Sequence, residues 1–164
     1  MSEATDNLIE TLSQQEIAEI EAEITHLPDR ESAAIDALRV VQEHRGWVSD
    51  ESLHAIAKLL GMSPGALDSI ATFYNLIFRK PVGRHVIMMC DSVSCYVMGC
   101  DGLCAALKKK LGVKLGGTTP DDRFTLLPIV CLAACDRAPV MMIDNDLVTN
   151  VTVDGLDEIL GRYQ

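Results

Sequence analysis

Aromatic side chains make up only 4% of the chain, with a single tryptophan at Trp47, and basic residues are outnumbered by acidic ones, 14 against 24. The resulting net charge of −10 argues against a nucleic-acid-binding role, since phosphates would be repelled, and it leaves no basic patch for an anionic membrane surface. No apolar run approaches the roughly 18 residues that a membrane span requires. The amino terminus, MSEATDNLIETLSQQE, lacks the basic and apolar regions of a secretory signal. A cytoplasmic location is therefore expected, where thiols stay reduced and structural disulfides are not expected. Neither G-x-G-x-x-G nor G-x-x-x-x-G-K-[ST] occurs, so no nucleotide site is evident, and there is no C-x-x-C pair for a dithiol oxidoreductase.

What remains is 164 residues with 48% hydrophobic content, enough for one full domain or two small ones. The charge is unevenly placed: residues 1–31 hold nine acids and one base, Arg30. A solvated amino-terminal arm accounts for this, with fraying expected over residues 1–12. Ser13 and Glu16 then form the S-x-x-E pattern of a capping box, followed by Ile17, Ile20, Ile24 and Leu27 at helical spacing up to Pro28. A second helix is expected from Asp29 to the left-handed stop at Gly46, with Ala34, Ile35, Leu38 and Val41 in register. Ser49 or Asp50 caps a third, ended by Gly61, and Ser63-Pro64 opens a fourth whose apolar side includes Leu67, Ile70, Ala71, Phe73 and Tyr74. The first three amphipathic stripes need one another, and the four helices with their short links predict a small bundle reaching about residue 77. Arg79, Lys80, Pro81 and Gly83 then break the helical period, which places the division between a bundle at 1–80 and a second domain at 81–164.

The second half changes character. Val86 to Met89 is a strand-length apolar run ending on Cys90, Gly99 to Lys110 reads as a helix, and 116–122 is a polar loop. Further strands are expected at Phe124 to Val130, Val140 to Ile143 and Leu147 to Val151, with a turn at Asp144 to Asp146 and a closing helix from Asp154 to Tyr163. A β-α-β unit followed by β-β-α allows a four-stranded sheet with both helices on one face, the topology of a thioredoxin-like domain among other α+β arrangements.

Two cysteine pairs dominate this half: Cys90 and Cys95 in CDSVSC, and Cys131 and Cys135 in CLAACD, each pair following a predicted strand. If those strands are parallel neighbours, both loops leave the same edge of the sheet and four thiolates converge. C-x4-C with a later C-x3-C is wider than the C-x2-C knuckle usual for structural zinc, and it suits a [2Fe-2S] cluster, which takes four thiolates, two on each iron. Zinc and simple buried thiols are the alternatives. Cys100 and Cys104, four apart on a predicted helix, read as packing or spare thiols, because a ligand loop needs backbone freedom that a helix interior lacks. His26, His44 and His54 fall at unrelated phases and read as surface or capping residues, and His85 as a satisfied structural histidine rather than a catalytic partner. Lys108, Lys109 and Lys110 complement a helix end. Met88, Met89, Met98, Met141 and Met142 read as packing.

Taken together, CDSVSC, CLAACD, ATFY at 71–74, PVGRH at 81–85 and RFTLLP at 123–128 closely resemble the small [2Fe-2S] subunit family of the NADH-oxidising module of respiratory complex I, from about Ser13 to the carboxyl end. The resemblance implies an α+β chain, a helical bundle followed by a thioredoxin-like [2Fe-2S] ferredoxin domain, with Cys90, Cys95, Cys131 and Cys135 as iron ligands. It further implies single-electron exchange with the FMN of a larger NADH-binding partner subunit, association with other peripheral-arm iron-sulfur subunits, and a place on the cytoplasmic side of the inner membrane through the complex. Hydride chemistry would belong to the partner, and no independent catalytic site is expected in this chain. An equivalent subunit of an NAD-linked formate dehydrogenase or hydrogenase is the alternative within the family, and a zinc-stabilised, non-redox binding module the alternative outside it. Ala133 stands where relatives commonly have glycine, Cys100 and Cys104 are additional to the family's four cysteines, and Pro139 occupies the position at which thioredoxin-like folds often hold a cis proline.

Overall fold

The computed structural model describes residues 11–164, so the expectation of fraying over residues 1–10 lies outside the described residues, whereas Leu12 is buried. The chain divides after Pro81 into two compact units.

The first unit is built from helices α1 (Gln14–Ile24), α2 (Ala34–Arg45), α3 (Asp50–Leu60) and α4 (Pro64–Phe73). Ser13 and Glu16 form the full capping box: Glu16 N donates to Ser13 Oγ at 3.1 Å, and Ser13 N donates to the Glu16 carboxylate at 2.6 Å. The same buried carboxylate receives two bonds from Arg45 at 2.6 Å, and Arg45 goes on to Ser52 Oγ and the Thr11 carbonyl. One charge pair thus ties the start of α1 to the end of α2. Ile20, Leu38, Ile56, Leu60 and Leu67 fill the core.

Two expectations for this half are corrected. The stretch after Asp29 opens as a 3-10 turn at Glu31–Ala33, and the α-helix begins only at Ala34. Asp29 instead accepts from both the backbone and the hydroxyl of Ser32, a local alternative to the helical ladder. The fourth helix stops at Phe73, with Tyr74 extended, because the side chain of Gln42 grips the backbone at Leu76 O (2.8 Å) and Phe78 N (2.6 Å). Phe73 is consequently 80% exposed and Tyr74 42%, not packed into the bundle. Trp47 is half-buried while its neighbour Val48 is fully buried.

The second unit contains a four-stranded sheet of order β2-β1-β3-β4, from β1 (His85–Cys90), β2 (Phe124–Ile129), β3 (Met141–Ile143) and β4 (Asp146–Val148). β1 pairs with β2 in parallel and with β3 antiparallel, and β3 pairs antiparallel with β4. β1 is buried from Val86 onward, as befits a central strand covered on both faces. β2 is an edge strand: loop residues 116–119 hydrogen-bond to its Phe124 and Leu126, and the exposed Pro128 has no N–H to offer farther along. Before β1 the chain passes so close to the backbone of 122–124 that a Cβ on Gly83 would lie 2.9 Å from the Asp122 carbonyl oxygen, which explains the glycine in PVGRH.

Helix α5 (Val93–Val97) follows β1, α6 (Cys100–Leu111) packs beside it and ends at the left-handed Gly112, and α7 (Leu156–Gly161) closes the chain. The short α5 replaces part of the expected loop. β3, β4 and α7 are each shorter than the sequence suggested: Val140 and Val151 are buried but bond outside the ladder, to Cys90 N and the Pro139 carbonyl respectively. The Ala138–Pro139 bond is cis. His85 is satisfied as expected, by Asp144 at 2.7 Å and the Gln164 carbonyl at 3.1 Å. Met88, Met89 and Met141 are core residues, whereas Met98 is exposed, contrary to the packing expectation, because it lies in the turn that follows α5.

Candidate metal centre

The parallel register of β1 and β2 is what assembles the thiols. Cys90 lies opposite Ile129, so the two strands end side by side and their cysteine loops leave the sheet together. Asp91 N donates to the Ile129 carbonyl at 3.0 Å, and the Cys90 thiol donates to the Val130 carbonyl at 3.6 Å, lacing one loop to the other. Cys131 has Cys135, Ser92 and Cys90 as near neighbours, and Cys95 has Cys90.

The set is asymmetric. Cys90 and Cys95 are buried, at 1% and 0% exposure, while Cys131 and Cys135 are exposed. Cys95 sits inside α5. Cys100 opens α6 and is also buried, whereas Cys104 is half-buried one turn on.

Their electrostatics differ accordingly. Burial pushes the Cys95 thiol up to about 11, although the Val140 backbone works in the other direction. Burial, helped by Asp101, also raises Cys100. The Ala133 N–H, and after it the Cys135 thiol, hold Cys131 below the ordinary range of a cysteine. That N–H reaches the Cys131 sulfur at 3.4 Å because Ala133 adopts φ 56°, a left-handed turn that glycine would make without steric cost.

Among the described residues, no three or more histidine, cysteine, aspartate or glutamate side chains are closed around a single metal-ion position. The thiols are arranged instead as two pairs on adjoining loops. Four soft sulfur donors delivered two by two, with one backbone N–H already aimed at a sulfur, fit a two-iron, two-sulfide cluster, for which each iron needs two thiolates.

The structure also brings in groups that the sequence reading passed over: the Val130 carbonyl, the Ala133 N–H, the Ser92 side chain and an apolar face. Val93, Tyr96, Val97, Met98 and Val130 are each more than half exposed. Val130, directly after β2, and the exposed residues of α5 and its following turn thus place uncovered hydrophobic surface on the two cysteine loops. Ser92, an N-cap residue type directly before VSCYV, was the available signal for the short helix. An open cavity of about 460 Å³ shares no residue with the cysteine loops, and its charged lining is already engaged, Lys110 with Asp157 and Arg123 with the carbonyls of Leu160 and Tyr163.

The sequence profile of the thioredoxin-like [2Fe-2S] ferredoxin family matches residues 20–164. The chain is 51% identical over 153 residues to the E subunit of NADH-quinone oxidoreductase from Escherichia coli (strain K12), covering 93% of this chain and 92% of that protein. It is 47% identical over 161 residues to the corresponding protein of Pseudomonas aeruginosa, which bears the same name, covering 96% and 97%. Among solved structures, a chain of an NAD+-reducing [NiFe]-hydrogenase in the H2-reduced state superposes with a TM-score of 0.66 at 22% identity, over 76% of this chain and 21% of that one, a likeness of fold.

Proposed function

The chain belongs to the thioredoxin-like [2Fe-2S] ferredoxin family and, within it, to the E-subunit family of NADH-quinone oxidoreductases, and from that premise we propose that Cys90, Cys95, Cys131 and Cys135 hold its [2Fe-2S] cluster. It is an electron-transfer subunit of that multi-subunit complex. The observation that carries the ligand assignment is the register of β1 on β2, which sets two cysteine loops side by side and ties them through the Cys90 thiol and the Val130 carbonyl.

When bound, the cluster supplies a one-electron carrier whose charge is spread over two irons and four thiolates. The residues of this chain do the rest. Cys90 and Cys95 would hold it from the buried side, their sulfurs giving up their protons as metal binds. Cys131 and Cys135 hold the exposed side, with the Ala133 N–H donating to a ligand sulfur. Hydrogen bonds to ligand sulfur are one of the levers by which proteins set the potential of such a centre.

The electron partner in this reading is a flavin- and NADH-binding subunit. It seats on the apolar face of Val93, Tyr96, Val97, Met98 and Val130, covering these side chains and excluding water beside the exposed thiols. Relatives of about half-identical sequence over nearly the whole chain carry the quinone-linked name, whereas the hydrogenase likeness is one of fold, which favours the quinone-linked complex.

Iron and sulfide analysis of protein purified without oxygen tests the assignment, together with EPR spectra before and after reduction. The expected outcome is one paramagnetic [2Fe-2S] signal on reduction, shifted or lost in Cys131→Ser. A Cys131→Ser spectrum identical to that of the unaltered protein would remove Cys131 from the ligand set.

A further inference from the structure

We propose that the apolar face on the cysteine loops selects its partner by charge: the flavin- and NADH-binding subunit meets it with an apolar surface bordered by lysine and arginine side chains. The inference rests on the docking reading above and adds to it the chemistry of the partner's border.

The two loops carry an uneven set of charges. Residues 91–101 hold two carboxylates, Asp91 and Asp101, and no base, while residues 130–137 hold Asp136 and one base, Arg137. All three aspartates are exposed. Asp91 and Asp101 have no ion pair among the described residues. Asp136 has only its neighbour Arg137, at 3.6 Å and with both side chains more than half exposed, a contact that neutralises little.

These carboxylates border the face formed by Val93, Tyr96, Val97, Met98 and Val130. Asp91 precedes Ser92 and α5, Asp101 follows the turn at Met98 and Gly99, and Asp136 lies on the loop that begins at Val130. Asp91 and Asp101 both lie within electrostatic reach of the Cys100 thiol, so the end of β1 and the start of α6 bring two unneutralised charges together. Asp101 also complements the first turn of α6, and its carboxylate still faces outward. A [2Fe-2S] cluster on four thiolates is itself anionic, so loading the proposed site deepens the same field.

An apolar centre with an acidic border disfavours two occupants. A second copy of this chain would set the same carboxylates against one another, and an anionic lipid surface would be repelled. A partner with a basic border is favoured, because unlike charges around an interface steer the encounter and suppress wrong pairings, while the apolar centre supplies the affinity. Border charges act before contact, so their removal changes the rate of association more than the rate of dissociation.

The test follows association of the cluster-loaded, full-length chain with the flavin- and NADH-binding subunit by stopped-flow kinetics. Ionic strength runs from about 0.01 M to about 1 M, across which the screening length falls from about 30 Å to about 3 Å. Asp91→Asn/Asp101→Asn/Asp136→Asn removes the border charge. Asp154→Asn/Asp157→Asn/Glu158→Gln removes as many charges at the opening of α7, beside a cavity that shares no residue with the cysteine loops. Circular dichroism, iron content and EPR check each chain. Asp101→Asn alone, adjacent to no proposed ligand, replaces the border variant should that variant lose its iron, and should still slow association beyond the change seen in the α7 variant.

The border variant is expected to associate about tenfold more slowly at low ionic strength, with a flattened salt dependence and a nearly unchanged dissociation rate. Its charge-conserving counterpart, Asp91→Glu/Asp101→Glu/Asp136→Glu, should match the unaltered chain, and the α7 variant should differ by about twofold at most. A border variant no slower than the α7 variant, or an unaltered chain whose association ignores salt, overturns the charge selection, and the docking reading then stands if Val97→Asp fails to bind. Val97→Asp associating like the unaltered chain removes the docking surface itself. A dimer of the chain alone in sedimentation, dissociated by Val97→Asp, would give the face to a second copy and overturn the proposal.

Discussion

The backbone N–H of Ala133 donates to the sulfur of Cys131 at 3.4 Å, and it does so from a left-handed conformation, φ 56°. The sulfur of a proposed ligand is thus oriented by a residue whose Cβ opposes the turn that orients it. An L-residue in this region costs roughly 1–2 kcal/mol, part of which glycine would give back as unfolded-state entropy. Ala133→Gly should therefore raise stability by about 0.5–1 kcal/mol. Guanidinium denaturation of cluster-loaded protein checks this, and an unchanged or lower midpoint would show that the turn is not a source of strain.

The two classes of thiol should separate kinetically in cluster-free protein. Cys131 is exposed and held below the ordinary cysteine range by the Ala133 N–H and Cys135, whereas Cys95 is fully buried and pushed up to about 11. Since the thiolate is the nucleophile, Cys131 should be alkylated well before Cys95 at neutral pH. Time-resolved peptide mass spectrometry after iodoacetamide gives the order directly, and equal rates would contradict the burial pattern.

Acid should weaken the first unit through Glu16. Burial alone would raise its pKa, but the Arg45 guanidinium and the Ser13 backbone and hydroxyl outweigh this and lower it to about 2, against 4.5 for an unperturbed group. A depressed folded-state value means stability that is fully present above the unfolded pKa and lost as pH falls through 4.5 toward 2. Its size is on the order of 3 kcal/mol. Glu16→Gln should flatten the acid limb of the stability profile between those limits. A wild-type and variant pair with parallel acid limbs would assign the loss to other carboxylates.

Val97 lies on the apolar face beside the thiols and is 78% exposed, so an aspartate there meets water in the isolated chain. Val97→Asp should leave circular dichroism and the EPR signal unchanged yet abolish co-purification with the flavin-binding subunit, because a buried unpaired carboxylate at an interface carries a large desolvation cost. Retained co-purification would move the docking surface elsewhere.

Local chemistry made much of this molecule legible. The capping box at Ser13, the left-handed stops at Gly46 and Gly61, and the Ser63-Pro64 opening all act within a turn of themselves, and each appears where the residues place it. The cysteine pairs were readable for the same reason, as short spacings after apolar strands. What escaped depends on partners distant in sequence or on elements too short to show a period. Nothing near Tyr74 announces that Gln42, more than thirty residues earlier, will hold the backbone at Leu76 and Phe78 and turn Phe73 outward. Five residues cannot display helical periodicity, so α5 read as loop. Its exposed apolar side follows from a location that only the parallel pairing of β1 and β2 reveals.

A sheet that ends at β2 offers its outermost backbone to any extended chain that drifts by, and such strand addition is a common beginning of aggregation. Here the first half of β2 is already bonded by residues 116–119, and the second half carries Pro128, which has no proton to lend. The opposite margin, β4, is only three residues long. Neither border serves as a template, so association is steered away from backbone pairing and toward side-chain recognition. The cysteine loop that continues from β2 is thereby shielded from being drawn into a neighbour's sheet.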